Sequence, residues 1–174
     1  MNYNLVNGMN IILDEKYPSI DYLKKNKDLA YKIKKIYSGK NSEMTTINNY
    51  VYQKLILDDD LKEIKDVLEK IAIVEMQHLD LLGKMIKKLG LYPSYTFINK
   101  KGNEVYWDTS FVNYETDLKK ILINNIKSEE KSIKEYKDII KYASDEIITN
   151  VFNRIILDEE QHIKIFKSIL NNLI

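Results

Sequence analysis

The chain has two histidines, and each closes the same four-residue pattern: Glu75-Met76-Gln77-His78 and Glu159-Glu160-Gln161-His162. Only on a helix do residues i and i+3 share a face, so each Glu-x-x-His presents a carboxylate oxygen and an imidazole nitrogen to one point. Two such helices, with a lone Glu from each of two more, make the ligand set of a dinuclear metal site inside a four-helix bundle. That requirement constrains the fold more tightly than any other feature of the chain.

An internal repeat supplies the lone carboxylates. Ser42-Glu43 with Ile47 and Tyr50 matches Ser128-Glu129 with Ile133 and Tyr136, position for position, and Glu75-x-Gln77-His78 matches Glu159-x-Gln161-His162. The unit repeated is a helix hairpin. Glu43 and Glu75 are centred on Asp59, and Glu129 and Glu159 on Ser144. Each Glu then lies about 15–16 residues from its turn, roughly 24 Å along a helix, so all four carboxylates reach one height at mid-bundle. Glu130 in place of Glu129 would turn the carboxylate about 100° away.

Few residues interrupt the helical periodicity: two Pro and five Gly in 174 residues. Residues 1–25 read as an irregular extension, with the bundle domain over 26–174. Helix A is expected from Lys27 to Leu57 with Gly39 a weak point near its middle, and helix B from the capping run Asp58-Asp59-Asp60 to Leu89, where Gly90 and Pro93 end it. Residues 91–115 form a long aromatic crossover, with Tyr92, Tyr95, Phe97, Tyr106, Trp107 and Phe111 around Lys101-Gly102-Asn103, read as a loop wrapped across the bundle. Helix C runs from Thr116 or Asp117 to Ala143, and helix D from the Ser144-Asp145 cap toward Ile174. The fold class is all-α: an antiparallel four-helix bundle, two hairpins joined by one crossover.

Composition removes several classes of function. A net charge of +1 gives no electrostatic case for nucleic acid or an anionic membrane. No run of about 18 apolar residues could span a bilayer. Met1-Asn2-Tyr3-Asn4 lacks a basic segment leading an apolar one, so a cytoplasmic location is the default. With no Cys, disulfides, thiolate zinc sites and rubredoxin-type iron centres are excluded, and redox chemistry must run on oxygen and nitrogen ligands.

The expected metal ligands are Glu43, Glu75, His78, Glu129, Glu159 and His162. Four carboxylates buried together as bare anions would be very costly, whereas two divalent cations bring them and two neutral imidazoles to zero net charge. Hard carboxylates with one imidazole per metal suit two Fe or two Mn ions, with zinc also admissible. Glu43 and Glu159 are assigned as terminal ligands, Glu75 and Glu129 as bridging ones, and His78 and His162 one to each metal. Tyr50 and Tyr136, two turns from their carboxylates, are read first as core packing, with a role beside the ligands or as electron relays as the alternative. Asp158 is placed either to hydrogen-bond a ligand histidine or to face solvent.

These motifs resemble the ferritin-like superfamily, which includes bacterioferritins, rubrerythrins and manganese catalases. The resemblance covers roughly Lys40 to Leu170. Glu43 to Tyr50 looks like the first-helix segment of bacterioferritins, and Glu75 to His78 and Asp158 to Ile163 like their later motifs. It implies a ferritin-like bundle with the six residues at the dinuclear-site positions. Met76 falls where bacterioferritins carry a haem-ligating Met, but a Met on this helix is by default a core residue, and haem is not expected.

The chain also departs from each group. It is expected to lack the short fifth helix of storage ferritins. Ser132 stands where rubrerythrins have an extra Glu, and a Cys-rich domain is not expected. Ser128 stands where manganese catalases have an Arg. The expected function is an oxidoreductase acting on O2 or H2O2, with an external electron donor unless it dismutates peroxide, and forming a homo-oligomer. Iron storage of the bacterioferritin type is the alternative, and a non-enzymatic, metal-stabilised bundle is a third.

Overall fold

The computed structural model describes residues 8–173. The opening tetrapeptide read for a leader, and Ile174 at the end of helix D, lie outside them. Five helices account for most of the described chain: α1 (Lys27–Ser38), α2 (Glu43–Ile56), α3 (Lys62–Leu89), α4 (Leu118–Ala143) and α5 (Glu146–Asn172). The most extensive helix pairings are α2 with α3 and α4 with α5, the two hairpins of a ferritin-like four-helix bundle, and α1 packs on α3.

Helix A is not continuous. It breaks at Gly39, whose backbone is extended (φ −80°, ψ −172°), and restarts at Ser42, whose hydroxyl accepts from the Thr45 N–H at 3.3 Å. Gly weakens a helix interior, and Ser competes for the cap role, so the two signals together end one helix and begin another. In the second half, the position matching Gly39 is Asn125, which lies inside the unbroken α4. The aspartate run before α3 also behaves differently from a side-chain cap. Asp59–Leu61 form a 3-10 turn, no side chain caps the helix that follows, and Asp59 pairs with Lys65 at 2.7 Å. At the other end of α3, Gly90 takes the left-handed conformation (φ 100°) that closes the helix, and Leu91 N–H reaches back to Ile86 O at 3.1 Å. Asp117 and Asp145 cap α4 and α5 through the N–H groups of Lys120 and Ile148.

The crossover is more ordered than a wrapped loop. It contains an antiparallel hairpin, β1 (Thr96–Ile98) with β2 (Glu104–Tyr106), in which Phe97 faces Val105. Its turn is closed by Asn99, which accepts from the N–H groups of Lys101 and Asn103, with Gly102 at φ 80°. Buried Lys34 on α1 anchors the hairpin by donating to Ser94 at 2.9 Å and Thr96 at 2.6 Å. Trp107 Nε1–H donates to Thr45 on α2 at 3.0 Å.

The apolar core falls into two bodies. One gathers Ile33, Leu82, Met85, Ile86, Ile148, Phe152 and Ile155, at the C-terminal end of α3 and the N-terminal end of α5. The other gathers Ile64, Leu68, Ile71, Leu122, Ile165, Phe166 and Ile169, at the opposite ends of the same helices. Residues 75–78 of α3 and 159–162 of α5 lie between them. Among the described residues no helix is long and apolar enough to cross a membrane.

Candidate metal centre

All six residues expected as ligands converge in that middle layer, and all are buried. They form two groups, each with its ligand atoms within 4.8 Å of one another: Glu43, Glu75, His78 and Glu159, and Glu75, Glu129, Glu159 and His162. Glu75 and Glu159 belong to both. Glu75 Oε2 lies 3.0 Å from His78 Nδ1 while its Oε1 lies 3.1 Å from His162 Nδ1. Glu159 divides its oxygens the same way, Oε1 at 3.5 Å from His78 Nδ1 and Oε2 at 3.1 Å from His162 Nδ1. Glu43 approaches only His78, at 4.0 Å, and Glu129 only His162, at 3.9 Å.

The shared carboxylates are therefore Glu75 and Glu159, and the outer ones Glu43 and Glu129. The expectation instead had Glu129 shared and Glu159 at the outside, which is not how the two groups divide here. The reason is positional. Each Glu-x-x-His carboxylate sits one turn from its own histidine and faces the other across the α3–α5 contact, whereas the lone Glu of α2 or α4 reaches one side only.

Tyr50 and Tyr136 do more than fill the core. Tyr50 OH donates to Glu129 Oε1, and Tyr136 OH donates to Glu43 Oε1 and, at 3.3 Å, to Glu159 Oε1. Each tyrosine of one half thus serves the lone carboxylate of the other. The rings still pack apolar, Tyr136 stacked on Phe152 and Tyr50 tilted against Phe166. The repeat had paired each Tyr with its own Glu two turns away, which hid the bond made across the bundle.

Asp158 contacts the site rather than solvent. Its Oδ2 receives His78 Nε2 at 3.1 Å and Tyr17 OH at 2.7 Å, and forms an ion pair with Arg154, 2.6 Å from Nη1. Tyr17 lies edge-on to the His78 ring, and the Arg154 guanidinium sits over the Tyr17 ring. Sequence reading found neither Tyr17 nor Arg154. Tyr17 carries no local signal, but an Arg four residues before Asp158 on α5 was an available one. Met76, read as a core residue, is instead exposed on the outer face of α3.

Electrostatics follow from the crowding. Burial, then the neighbouring Glu75, raises the pKa of Glu43 well above the ordinary carboxylate value. Burial, then the neighbouring Glu159, does the same for Glu129. Glu159 is raised by burial and Glu75. Burial alone would raise Glu75 too, but the two histidines, His162 and His78, together pull it below the ordinary value. Burial pulls both histidines down, but the carboxylates reverse it. Asp158 and Glu75 hold His78 well above its usual value, and Glu159 and Glu75 push His162 up to about 10. Without cations, the cluster keeps itself near neutrality by holding protons.

A family model described as rubrerythrin matches residues 36–170. This chain belongs to the rubrerythrin family. Among curated relatives it is 29% identical over 131 residues to a bacterioferritin of Desulfovibrio desulfuricans, covering 73% of this chain and 67% of the relative. It is 21% identical to a probable manganese catalase of Clostridium acetobutylicum, covering 97% of this chain and 78% of that protein. A crystal structure of a manganese catalase from Anabaena superposes with a TM-score of 0.80 at 23% identity, covering 95% of this chain and 81% of that chain. The D. desulfuricans bacterioferritin, whose structure has a diiron site, gives 0.67 at 24% identity, covering 84% and 82%. These superpositions establish the ferritin-like bundle.

The residues fit a pair of hard divalent cations. Four carboxylates and two imidazoles fall into two groups whose ligand atoms lie within 4.8 Å of one another, and Glu75 Oε1, fully buried, accepts no hydrogen bond among the described residues. A buried carboxylate oxygen without a donor is costly to leave so, and a cation between the two groups would satisfy it.

Proposed function

We propose that this member of the rubrerythrin family is a dinuclear iron or manganese oxidoreductase that reduces O2 or H2O2. The observation carrying this reading is the pair of buried Glu/His groups that share Glu75 and Glu159. Glu43, Glu75, His78 and Glu159 would hold one ion, and Glu75, Glu129, Glu159 and His162 the other. The ions would supply one-electron steps between divalent and trivalent states. The chain's own part is to position and to hold protons. Tyr136 and Tyr50 fix the outer carboxylates and can share a proton with them, and the two apolar bodies exclude bulk water. An external donor would supply reducing equivalents unless peroxide is dismutated.

Iron storage is the second reading, favoured by the 29% identity to a bacterioferritin. It requires many copies, because a monomer or dimer cannot enclose a mineral core.

The deciding experiment combines elemental analysis of protein purified without added metal, H2O2 consumption by the same sample, and its mass in solution. About two iron or manganese ions per chain, with peroxide loss abolished in Glu75→Ala, would support the enzyme. A large hollow assembly that takes up many irons per chain, without peroxide turnover, would replace it with storage. Stoichiometric metal that only raises the melting temperature, with neither activity, would leave a structural role.

A further inference from the structure

The internal repeat makes the two halves of the centre nearly equivalent, and one position breaks the equivalence. Asp158 immediately precedes Glu159, whereas Val74 occupies the matching place before Glu75. His78, lying across the bundle from Asp158, therefore has an acceptor on the nitrogen that faces away from the cluster, Nε2 to Asp158 Oδ2 at 3.1 Å. Among the described residues His162 has none: its Nε2 is buried and makes no hydrogen bond.

The acceptor on the His78 side is itself fixed. Asp158 Oδ2 also accepts from Tyr17 OH and is ion-paired with Arg154. Arg154 ties down the N-terminal segment through Nε to Glu15 O at 2.8 Å and Nη2 to Leu13 O at 3.3 Å, and Gln161 donates to Asn10 O at 2.8 Å. The extension is thus a strap bonded along α5 that delivers one hydroxyl to the carboxylate orienting His78.

A carboxylate on the outer N–H of a metal-bound imidazole fixes the tautomer and ring orientation and raises the basicity of the ligating nitrogen. Losing such a partner costs about 10–100-fold in metal affinity. We infer that the two metal positions are inequivalent by construction, the one built on His78 binding a divalent cation more tightly than the one built on His162, with Tyr17 of the strap a positioning residue for the tight position. This rests on the dinuclear reading above and adds an order of occupancy to it.

Two cations in one cage repel, so stepwise filling of the unaltered protein would not by itself distinguish the positions. The test compares single-histidine variants of the full chain. Co2+ alone is titrated into metal-free protein and followed by its visible ligand-field absorption, with circular dichroism confirming the helical fold. His162→Ala, keeping the His78 position, should bind one Co2+ at least about 10-fold more tightly than His78→Ala, which keeps the His162 position. Adding Asp158→Asn to His162→Ala should remove that advantage, and adding Tyr17→Phe should weaken it severalfold while leaving the His78→Ala background unchanged.

Should Asp158→Asn fail to fold, Tyr17→Phe, which keeps the ring, carries the same comparison. Equal affinities in the two single-histidine variants, or an equal effect of Tyr17→Phe on both, would overturn the inference while leaving two metal positions in place. No stoichiometric Co2+ in the unaltered protein would overturn the dinuclear reading itself.

Discussion

Metal-free protein should lose stability as the pH rises, and metal-loaded protein should not. In the folded, metal-free chain Glu43, Glu129 and Glu159 are held above their ordinary value of 4.5, so they keep protons that the unfolded chain has released. His78 and His162 are raised above 6.5, and their stabilisation, complete below that pH, is lost as the pH climbs toward the folded values, about 10 for His162. Glu75 is lowered and has the opposite sign, but its window lies below 4.5 and is closed before neutrality. From neutral pH upward the folded state therefore binds more protons than the unfolded state.

Each net proton corresponds to about 1.4 kcal/mol of stability per pH unit. With about one to two net protons, and about 2–4 °C of melting temperature per kcal/mol in a domain of this size, the transition should fall by roughly 3–10 °C per pH unit. Scanning calorimetry in chelator at pH 6, 7, 8 and 9 measures it. The loaded protein should hold steady or rise over the same range, because metal ligands must be deprotonated and affinity grows with pH. A metal-free transition that is flat or rises with pH would refute the reasoning that the empty cluster stores protons.

Tyr50→Phe and Tyr136→Phe should each destabilise the metal-free fold by about 1–3 kcal/mol in urea titrations, since each removes a buried donor to a carboxyl group. Unchanged midpoints would mean those hydroxyls find equal partners elsewhere. Gly39→Ala places a Cβ 2.3 Å from Lys35 O, so about 1–3 kcal/mol should be lost. A gain would mean that α1 and α2 join as one helix once the glycine is gone. Phe152→Ala, in the core beside Tyr136, should cost about 3–5 kcal/mol. A loss below about 1 kcal/mol would show that this core collapses to fill the space.

The bundle and the gathering of six side chains were legible because both follow from local arithmetic. Spacing of three within α3 and α5, and equal distance from the turns, determine which residues share a face and a height. Interactions that cross the bundle were not legible in this way. The exchange of Tyr50 and Tyr136 between halves, and the sharing of Glu159 instead of Glu129, depend on how two hairpins are set against each other, which periodicity does not encode. Tyr17 reaches the site from 141 residues away in sequence, and no spacing rule reaches that far. Two misses had readable signals. Gly39 followed by Ser42 is a stop and a cap, and β-forming residues on both sides of Gly102 mark a hairpin. Both were outweighed by the apolar periodicity of helix A and by the aromatic content of the crossover.

The division of the apolar interior into two bodies, with the ligand layer between them, bears on how the protein comes apart. Helix–helix cohesion by burial acts above and below that waist but not through it, where protons or cations join the halves. A loaded waist works as a rivet, so the molecule should open as one cooperative unit. With the rivet withdrawn, each end can loosen without dragging the other. Amides of α3 and α5 near residues 75–78 and 159–162 should then exchange with solvent ahead of those in the turns around Ile86 and Phe166.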